Sequence, residues 1–417
     1  MSGPASTLAP FATGPTMDAP HLSPAQALPE AAGPDAAAAA LALPFTAAEL
    51  LARIRPWVEI ESPTFDAAAV NRLMNFAARE LAVIGARVER IPGRMGYGDC
   101  VRARFPHPDG DAPGILVLAH LDTVHPVGTL DVLPFREADG RCTGPGICDM
   151  KGGTVLAVEA LRALSRAGIP TSRPVTVLLT SDEEVGSPST RDLIEAEAAR
   201  HAVVLVPEPG RPAGEGPMGD VVTGRYAIAR FNLRTTGRPS HAGAMLSEGR
   251  SAIREMCRQV LAIEAMTTEA ATLSVGVLRG GQWVNCVSTH CDAEALSMAK
   301  RQADLDATVE KMLALTSGAP DVALSVTRGV TRPVWEPDEG TMRLYGLARG
   351  LAARLGHPLG HGSAGGGSDG NFTGAMGIPT LDSLGVLGGD YHTLREYIRL
   401  DSLVPRARLL AGMMTSA

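Results

Sequence analysis

The sequence predicts an α/β protein: a mostly parallel sheet flanked by helices, interrupted by a small inserted α/β sandwich. Three observations predict it. Short, continuous apolar runs at 115–119, 175–180 and 202–206 have the character of strands buried on both faces. Amphipathic helical patterns over 150–167 and 189–199 separate those runs, and strands alternating with helices build a parallel sheet. Near Gly219 the grammar changes to strand-like runs at 226–235, 272–278 and 283–287, with helical spacing at 251–266 and 304–315.

The flanking elements complete this plan. Two opening helices are expected from the apolar spacing of Leu51, Ile54 and Val58 and then of 73–81, and a closing helix spans about 403–413. Residues 44–218 and 331–417 are therefore expected to form one unit and 219–330 the inserted one, with no internal repeat. A chain of 417 residues is long enough for two cores. Residues 1–43 are rich in Ala and Pro, and are expected to be a disordered extension. They lack the basic start and unbroken apolar core of a secretory signal, so the cytoplasm is the expected compartment.

Composition narrows the function. The net charge of -7, without a Lys/Arg stripe, argues against nucleic acid as the partner, and no apolar run approaches a membrane span. A small-molecule substrate is the expectation. Cys100, Cys142, Cys148, Cys257, Cys286 and Cys291 are scattered without zinc-knuckle spacing and read as free thiols.

Chemistry begins where the strands stop. The first run ends in His120-Leu-Asp122, the second in Ser-Asp-Glu183-Glu184, the third in Pro-Glu208-Pro. Each has an ordinary reading alone: a hydrogen-bonded His, a solvated acidic pair, a loop carboxylate, and for Asp149 a helix cap. Ligands of open α/β sheets gather at the carboxyl ends of strands, however, and three such ends here carry His or carboxylate side chains. The Gly-rich run 365–370 lacks the lysine and following Ser/Thr of a phosphate-binding loop.

Six motifs occur in order: His120-Leu-Asp122-Thr-Val, Gly144-Pro-Gly-Ile-Cys-Asp149-Met-Lys-Gly-Gly153, Asp182-Glu-Glu184, Pro207-Glu-Pro209, Pro239-Ser-His-Ala-Gly243 and Tyr391-His392. With them the chain, from about Phe45 to Met414, resembles the glutamate carboxypeptidase and aminoacylase family of co-catalytic zinc metallopeptidases. The resemblance implies a metallopeptidase catalytic domain carrying a lid and dimerisation domain. It implies that His120, Asp149 and Glu208 hold one divalent ion and Asp149, Glu184 and His392 the other, with Asp149 bridging. His nitrogens and carboxylate oxygens suit zinc and admit cobalt or manganese. Asp122 would orient His120, Glu183 would be the general base, and a cis peptide would follow Asp149. The resemblance also places His241 at the oxyanion of a partner's site, implying a homodimer through the lid. Asn285, Gly366, Gly367 and Ser368 resemble substrate-carboxylate contacts.

One departure bears on substrate. The family's lid strand ends in an Asp-x-Arg whose guanidinium binds the substrate carboxylate, whereas 295–298 reads Ala-Leu-Ser-Met298. Lys300 or Arg301 could replace it after a local shift, or the substrate presents its carboxylate differently or has none there. The leading expectation is cleavage of an amide next to a carboxylate, as by a glutamate carboxypeptidase or an N-acyl-amino-acid deacylase. The alternatives are a metal-dependent aminohydrolase acting on a non-peptide substrate such as an aromatic acid, and an inactive ligand-binding homologue. A lid over a cleft also makes hinge closure an expectation.

Overall fold

The computed structural model describes residues 34–213 and 216–417. Its main sheet has six strands in the order Arg87–Ile91, Cys100–Arg104, Val175–Thr180, Gly114–His120, His201–Leu205 and Thr380–Leu381. The last four run parallel, and the first two are joined antiparallel at one edge. Gly114–His120 lies between two parallel neighbours and is buried along its whole length. Ile115, Val117 and Ala119 enter the larger core with Val70, Leu73 and Leu161. Leu116 and Leu118 enter a second cluster with Ile194, Val204 and Phe372. Burial on both faces explains why this strand reads as an unbroken apolar run.

The helix Gly152–Ala167 follows the Asp149 turn and packs on the C-terminal helix Leu403–Met414. Its start needs glycine: a Cβ on Gly153 would collide with the Pro207 carbonyl, as would one on Gly385 from the opposite side. The two glycines also lie against each other, so the segment carrying Glu208 packs directly on both backbones.

The inserted sandwich is a four-stranded antiparallel sheet in the order Ala271–Gly280, His290–Ala299, Ala227–Thr236, Ala323–Arg332, covered by helices Ala252–Glu264 and Gln302–Leu313. It has its own core around Phe231, Leu233, Met256, Leu305 and Met312. Two expectations shift here. Residues 283–287 form an exposed turn, not a strand, and the missing partner is His290–Ala299. Its buried positions are Cys291, Ala293, Ala295, Ser297 and Ala299, side chains too small to signal a strand. The sandwich also begins later than residue 219, because Asp220–Arg225 pairs in parallel with Gly360–Ala364 outside the inserted sheet, and it ends at Arg332.

A third difference lies at the start. Residues 1–33 of the expected disordered extension lie outside the described residues, but Pro34–Leu41 is a helix. Ala37, Ala40, Leu41 and Leu43 are buried, and the helix packs against Leu403–Met414, with Leu41 beside Gly412. An Ala-rich stretch has helix propensity, but whether it orders depends on a docking face some 370 residues away that local composition cannot reveal. All six cysteines are free, as expected. Among the described residues no helix is long and apolar enough to cross a membrane. Leu41→Ala is expected to cost about 2–5 kcal/mol, seen as a lower urea midpoint, because the cavity would open between the two packed helices.

Candidate active site

Every side chain expected to hold a metal reaches one cleft at the carboxyl ends of the parallel strands. His120 ends its strand with a side chain only 1% exposed. Its Nδ1 lies 3.0 Å from the carbonyl oxygen of Asp122, which can only accept, so Nδ1 carries the proton. Nε2 then faces Asp149 Oδ1 at 3.3 Å, Glu208 Oε1 at 3.7 Å and Glu183 Oε2 at 3.9 Å. On the other side, His392 Nε2 lies 3.2 Å from Asp149 Oδ2 and 3.1 Å from Glu184 Oε2. Asp149 thus gives one oxygen to each histidine, and its peptide bond to Met150 is cis.

This donor set fits cations. A neutral His120 would aim a lone pair at three carboxylates, and the buried Oε1 of Glu184 has no hydrogen-bond partner. His120, Asp149 and Glu184 form one group able to hold an ion, and His120, Glu183 and Glu208 another. The charge balance without a cation says the same. Burial pushes Glu208 well above the carboxylate range, with Asp149 adding to it. The burial of Asp149 is outweighed by the two histidines, which hold it well below that range. Bonds to Asp149 and Glu184 push His392 up to about 10. A cation bound here would displace protons from such groups.

Asp122 is fully buried and does more than face His120. Its carboxylate lies 3.4 Å from His120 Nδ1 and accepts from the N–H groups of Glu183 (3.2 Å) and Glu184 (3.3 Å) and from Thr64 Oγ1 (2.8 Å). One side chain therefore fixes both the first histidine and the turn that carries the acidic pair. Glu183 points to the cleft with its side chain 10% exposed. Burial pushes its carboxyl up to about 8, even against the pull of Arg332 and His120. A carboxyl near neutrality can both take and return a proton.

Arg332 was not legible as a site residue. It ends the last strand of the inserted sheet, and its Nη2 donates to Glu183 Oε1 (2.7 Å) and to the Glu183 carbonyl (3.0 Å), while Nη1 donates to Asp369 (3.1 Å). The only sequence signal was its place at the boundary where the chain returns to the first unit. Glu396 was missed too. It is 1% exposed, and its Oε1 accepts from the N–H groups of Cys148 (2.8 Å) and Asp149 (3.0 Å). Its Oε2 accepts from Gly146 N–H (3.0 Å) and lies 2.7 Å from His125 Nε2. Both oxygens face donors, which a carboxylate satisfies and an amide does not. Glu396 closes the turn of His392, whose φ of 64° is unusual for a residue with a Cβ. It therefore ties the backbone of Asp149 to the segment of His392.

The remaining expected residues fall elsewhere. His241 and Asn285 are exposed on the inserted sandwich and adjoin one another through Ala242 N–H and the Asn285 carbonyl (2.9 Å). Among the described residues, neither bonds to the cluster. The N–H groups of Gly243 and Ala244 both donate to His241 Nδ1 at 3.1 Å, leaving Nε2 to carry the proton outward. The Gly-rich loop does reach the cleft, but Ser368 does not face it. Ser368 is fully buried, with N–H to Asn371 Oδ1 (3.0 Å) and Oγ to Asp382 Oδ2 (2.5 Å). It anchors the loop, in which Gly366 is exposed and Gly365 and Gly367 are half-buried. Arg225, held by Asp382 at 2.6 Å, donates to the Gly366 carbonyl from behind.

A family model described as peptidase family M20/M25/M40 matches residues 116–416. The chain belongs to that family. Carboxypeptidase G2 of Pseudomonas sp. (strain RS-16) is 31% identical to it over 366 residues, 86% of each chain. Acetylornithine deacetylase of Pasteurella multocida is 28% identical over 258 residues, 57% of this chain and 63% of that enzyme. In fold, the chain is similar to an M20 family metallo-carboxypeptidase from Sulfolobus solfataricus, with a TM-score of 0.70 over 88% of this chain and 98% of the other at 13% identity. This M20/M25/M40 member is a metal-dependent hydrolase of amide bonds, with the family's α/β catalytic fold and separate antiparallel sheet.

Two outcomes are expected. Glu396→Gln, which sets an NH₂ group against backbone donors, should weaken zinc binding by about 10–100-fold in chelator competition. Zinc added to the metal-free protein near neutral pH should release protons, because His392 lies above that pH and must lose its proton to bind. Calorimetry in buffers of different ionisation enthalpy counts them, and His392→Gln should lower the count.

Proposed function

We propose that the chain hydrolyses an amide bond adjacent to a substrate carboxylate, as a carboxypeptidase or an N-acyl-amino-acid deacylase, with Glu183 as general base. The observation that carries this reading is the Glu183 carboxyl, buried between Arg332 and the His120 cluster and poised near neutral pH. His120, Asp149 and Glu208 would hold one divalent ion and Asp149, Glu184 and His392 the other; the donor types favour zinc and admit cobalt or manganese. Such ions supply a more acidic water and a polarised scissile carbonyl. Glu183 takes the proton of the attacking water and returns it to the departing nitrogen. Asp122 keeps His120 in one tautomer and holds the Glu183 turn still.

His241 serves from a second copy of the chain. Its Nε2–H is a donor suited to a developing oxyanion, and among the described residues His241 makes no bond to its own Asp149 cluster. Exposed Met245, Leu246, Trp283 and Val284 surround it, an apolar patch that a homodimer would cover. Asn285 travels with it. A second reading, release of an amine from a non-peptide aromatic acid, is favoured by the apolar pair of Met298 and Ile228 on neighbouring strands of the sandwich.

The test is hydrolysis of N-acyl amino acids and dipeptides by zinc-, cobalt- or manganese-loaded protein. Glu183→Gln should lower kcat by about 10²–10⁴-fold while keeping its metal. Inertness toward every such substrate in the wild type would point to the non-peptide reading, and inertness toward amines of aromatic acids as well would point to a ligand-binding homologue. Mixing inactive Glu183→Gln with His241→Ala protein should restore activity, since one site in each mixed dimer is whole; no recovery would place His241 outside the reaction.

A further inference from the structure

The inserted sheet turns one face to its helices and the other to the cleft. Ala227, Ala229, Phe231 and Leu233 are buried in the sandwich core, so Ile228, Arg230 and Asn232 share the opposite face. Register sets Arg332, Ile228 and Met298 in one row across three strands, with Leu296 beside Arg230 in the next. Two contacts fix this face over the cleft. Arg332 reaches Glu183, and a Cβ on Gly367 would lie 2.8 Å from Ile228 Cδ1.

The cations around this cleft differ in their company. Arg332 is neutralised by Glu183 and Asp369, and Arg225 by Asp382. Arg301 is held by Asp304, and Lys300 lies exposed just past the end of its strand. Arg230 stands apart. It is half-buried, its Nη1 donates to the Val185 carbonyl at 2.9 Å, and among the described residues it has no carboxylate at ion-pair distance. Burial and nearby Arg332 hold its pKa below the usual range, with Glu183, Glu294 and Tyr97 pulling the other way. A partly dehydrated cation without an anion is costly to keep. Val185 lies two residues after Glu183, whose charge Arg230 feels, so the guanidinium sits on the turn that carries the proposed base.

We propose that Arg230 binds the substrate carboxylate, making this a hydrolase selective for amides that carry a free carboxylate beside the bond cleaved. The proposal rests on the hydrolase reading above. Arg230 supplies the missing counter-charge from the strand next to Met298, leaving Met298 and Ile228 to line the pocket with apolar surface.

The experiment compares N-acetyl-L-amino acids with their matched C-terminal carboxamides on metal-loaded wild type, Arg230→Gln and Arg230→Lys. Gln keeps a donor toward Val185 but loses the charge, and Lys keeps the charge. The wild type should prefer the acids. Arg230→Gln should raise KM for the acids about 10–100-fold, the worth of a charge-assisted contact, with a smaller change in kcat, and the acid preference should collapse; Arg230→Lys should restore most of it. An acid preference that survives in Arg230→Gln, or an equal fall in kcat on acids and carboxamides, would make Arg230 a structural latch and overturn the proposal. Should Arg230→Gln fail to fold, Arg230→Lys decides: preference kept supports the proposal, preference lost overturns it. A wild type that cleaves acids and carboxamides alike leaves the hydrolase reading standing and removes this one, whereas no cleavage of either removes both.

Discussion

The carboxylate of Asp149 is divided between two histidines, and much of the structure serves to hold it that way. Oδ1 faces His120 and Oδ2 faces His392, which come from opposite ends of the chain. A side chain can be shared like this only if its backbone is immobile. Glu396 supplies that by accepting the N–H groups of Gly146, Cys148 and Asp149, and it belongs to the same turn as His392. Lys151, fully buried with its Nζ on the Ile60 carbonyl, lies near enough to feel the Glu396 charge. The bridge and one of its two histidines are thus positioned by one buried carboxylate.

The second constraint is charge. Asp122, Asp149, Glu183, Glu184 and Glu208 converge where water is scarce, and like charges at such distances cannot all stay ionised unaided. The fold answers with positive groups placed unevenly. Arg332 sits against Glu183, two histidines face Asp149, and Arg225 compensates Asp382 behind the Gly-rich loop. Glu184 and Glu208 receive no arginine at contact distance among the described residues, and these are the carboxylates assigned to cations by the proposed function. In the proposed function this uneven compensation leaves Glu183 to exchange a proton and its neighbours to bind metal.

The inserted sandwich joins this arrangement through the same turn. Arg332 grips Glu183, Arg230 grips the Val185 carbonyl, and Val330 is packed so closely on Gly186 that a Cβ there would lie 2.7 Å from it. Any movement of the sandwich against the main sheet must therefore pass through the residues flanking Glu183 and Glu184. Its other end, with His241 and Asn285, faces solvent. One element so links the turn of Glu183 with an exposed apolar surface around His241.

The sequence by itself determined the parallel sheet, the inserted sandwich and the side chains of the cleft. Strands buried on both faces must be apolar throughout, so the polar residues that end them stand out, and His120, Glu183, Glu184 and Glu208 were legible for that reason. Tertiary structure decided what depends on distant partners. The Ala-rich helix Pro34–Leu41 is ordered by the closing helix, and the strand His290–Ala299 owes its place to neighbours that accept small side chains. Ser368 turned inward because Asp382 and Asn371 lie behind it. Arg230, Arg332 and Glu396 look like ordinary surface charges in a linear chain. Their meaning is set by which charges lie within a few ångströms of them, and only the folded chain brings those together.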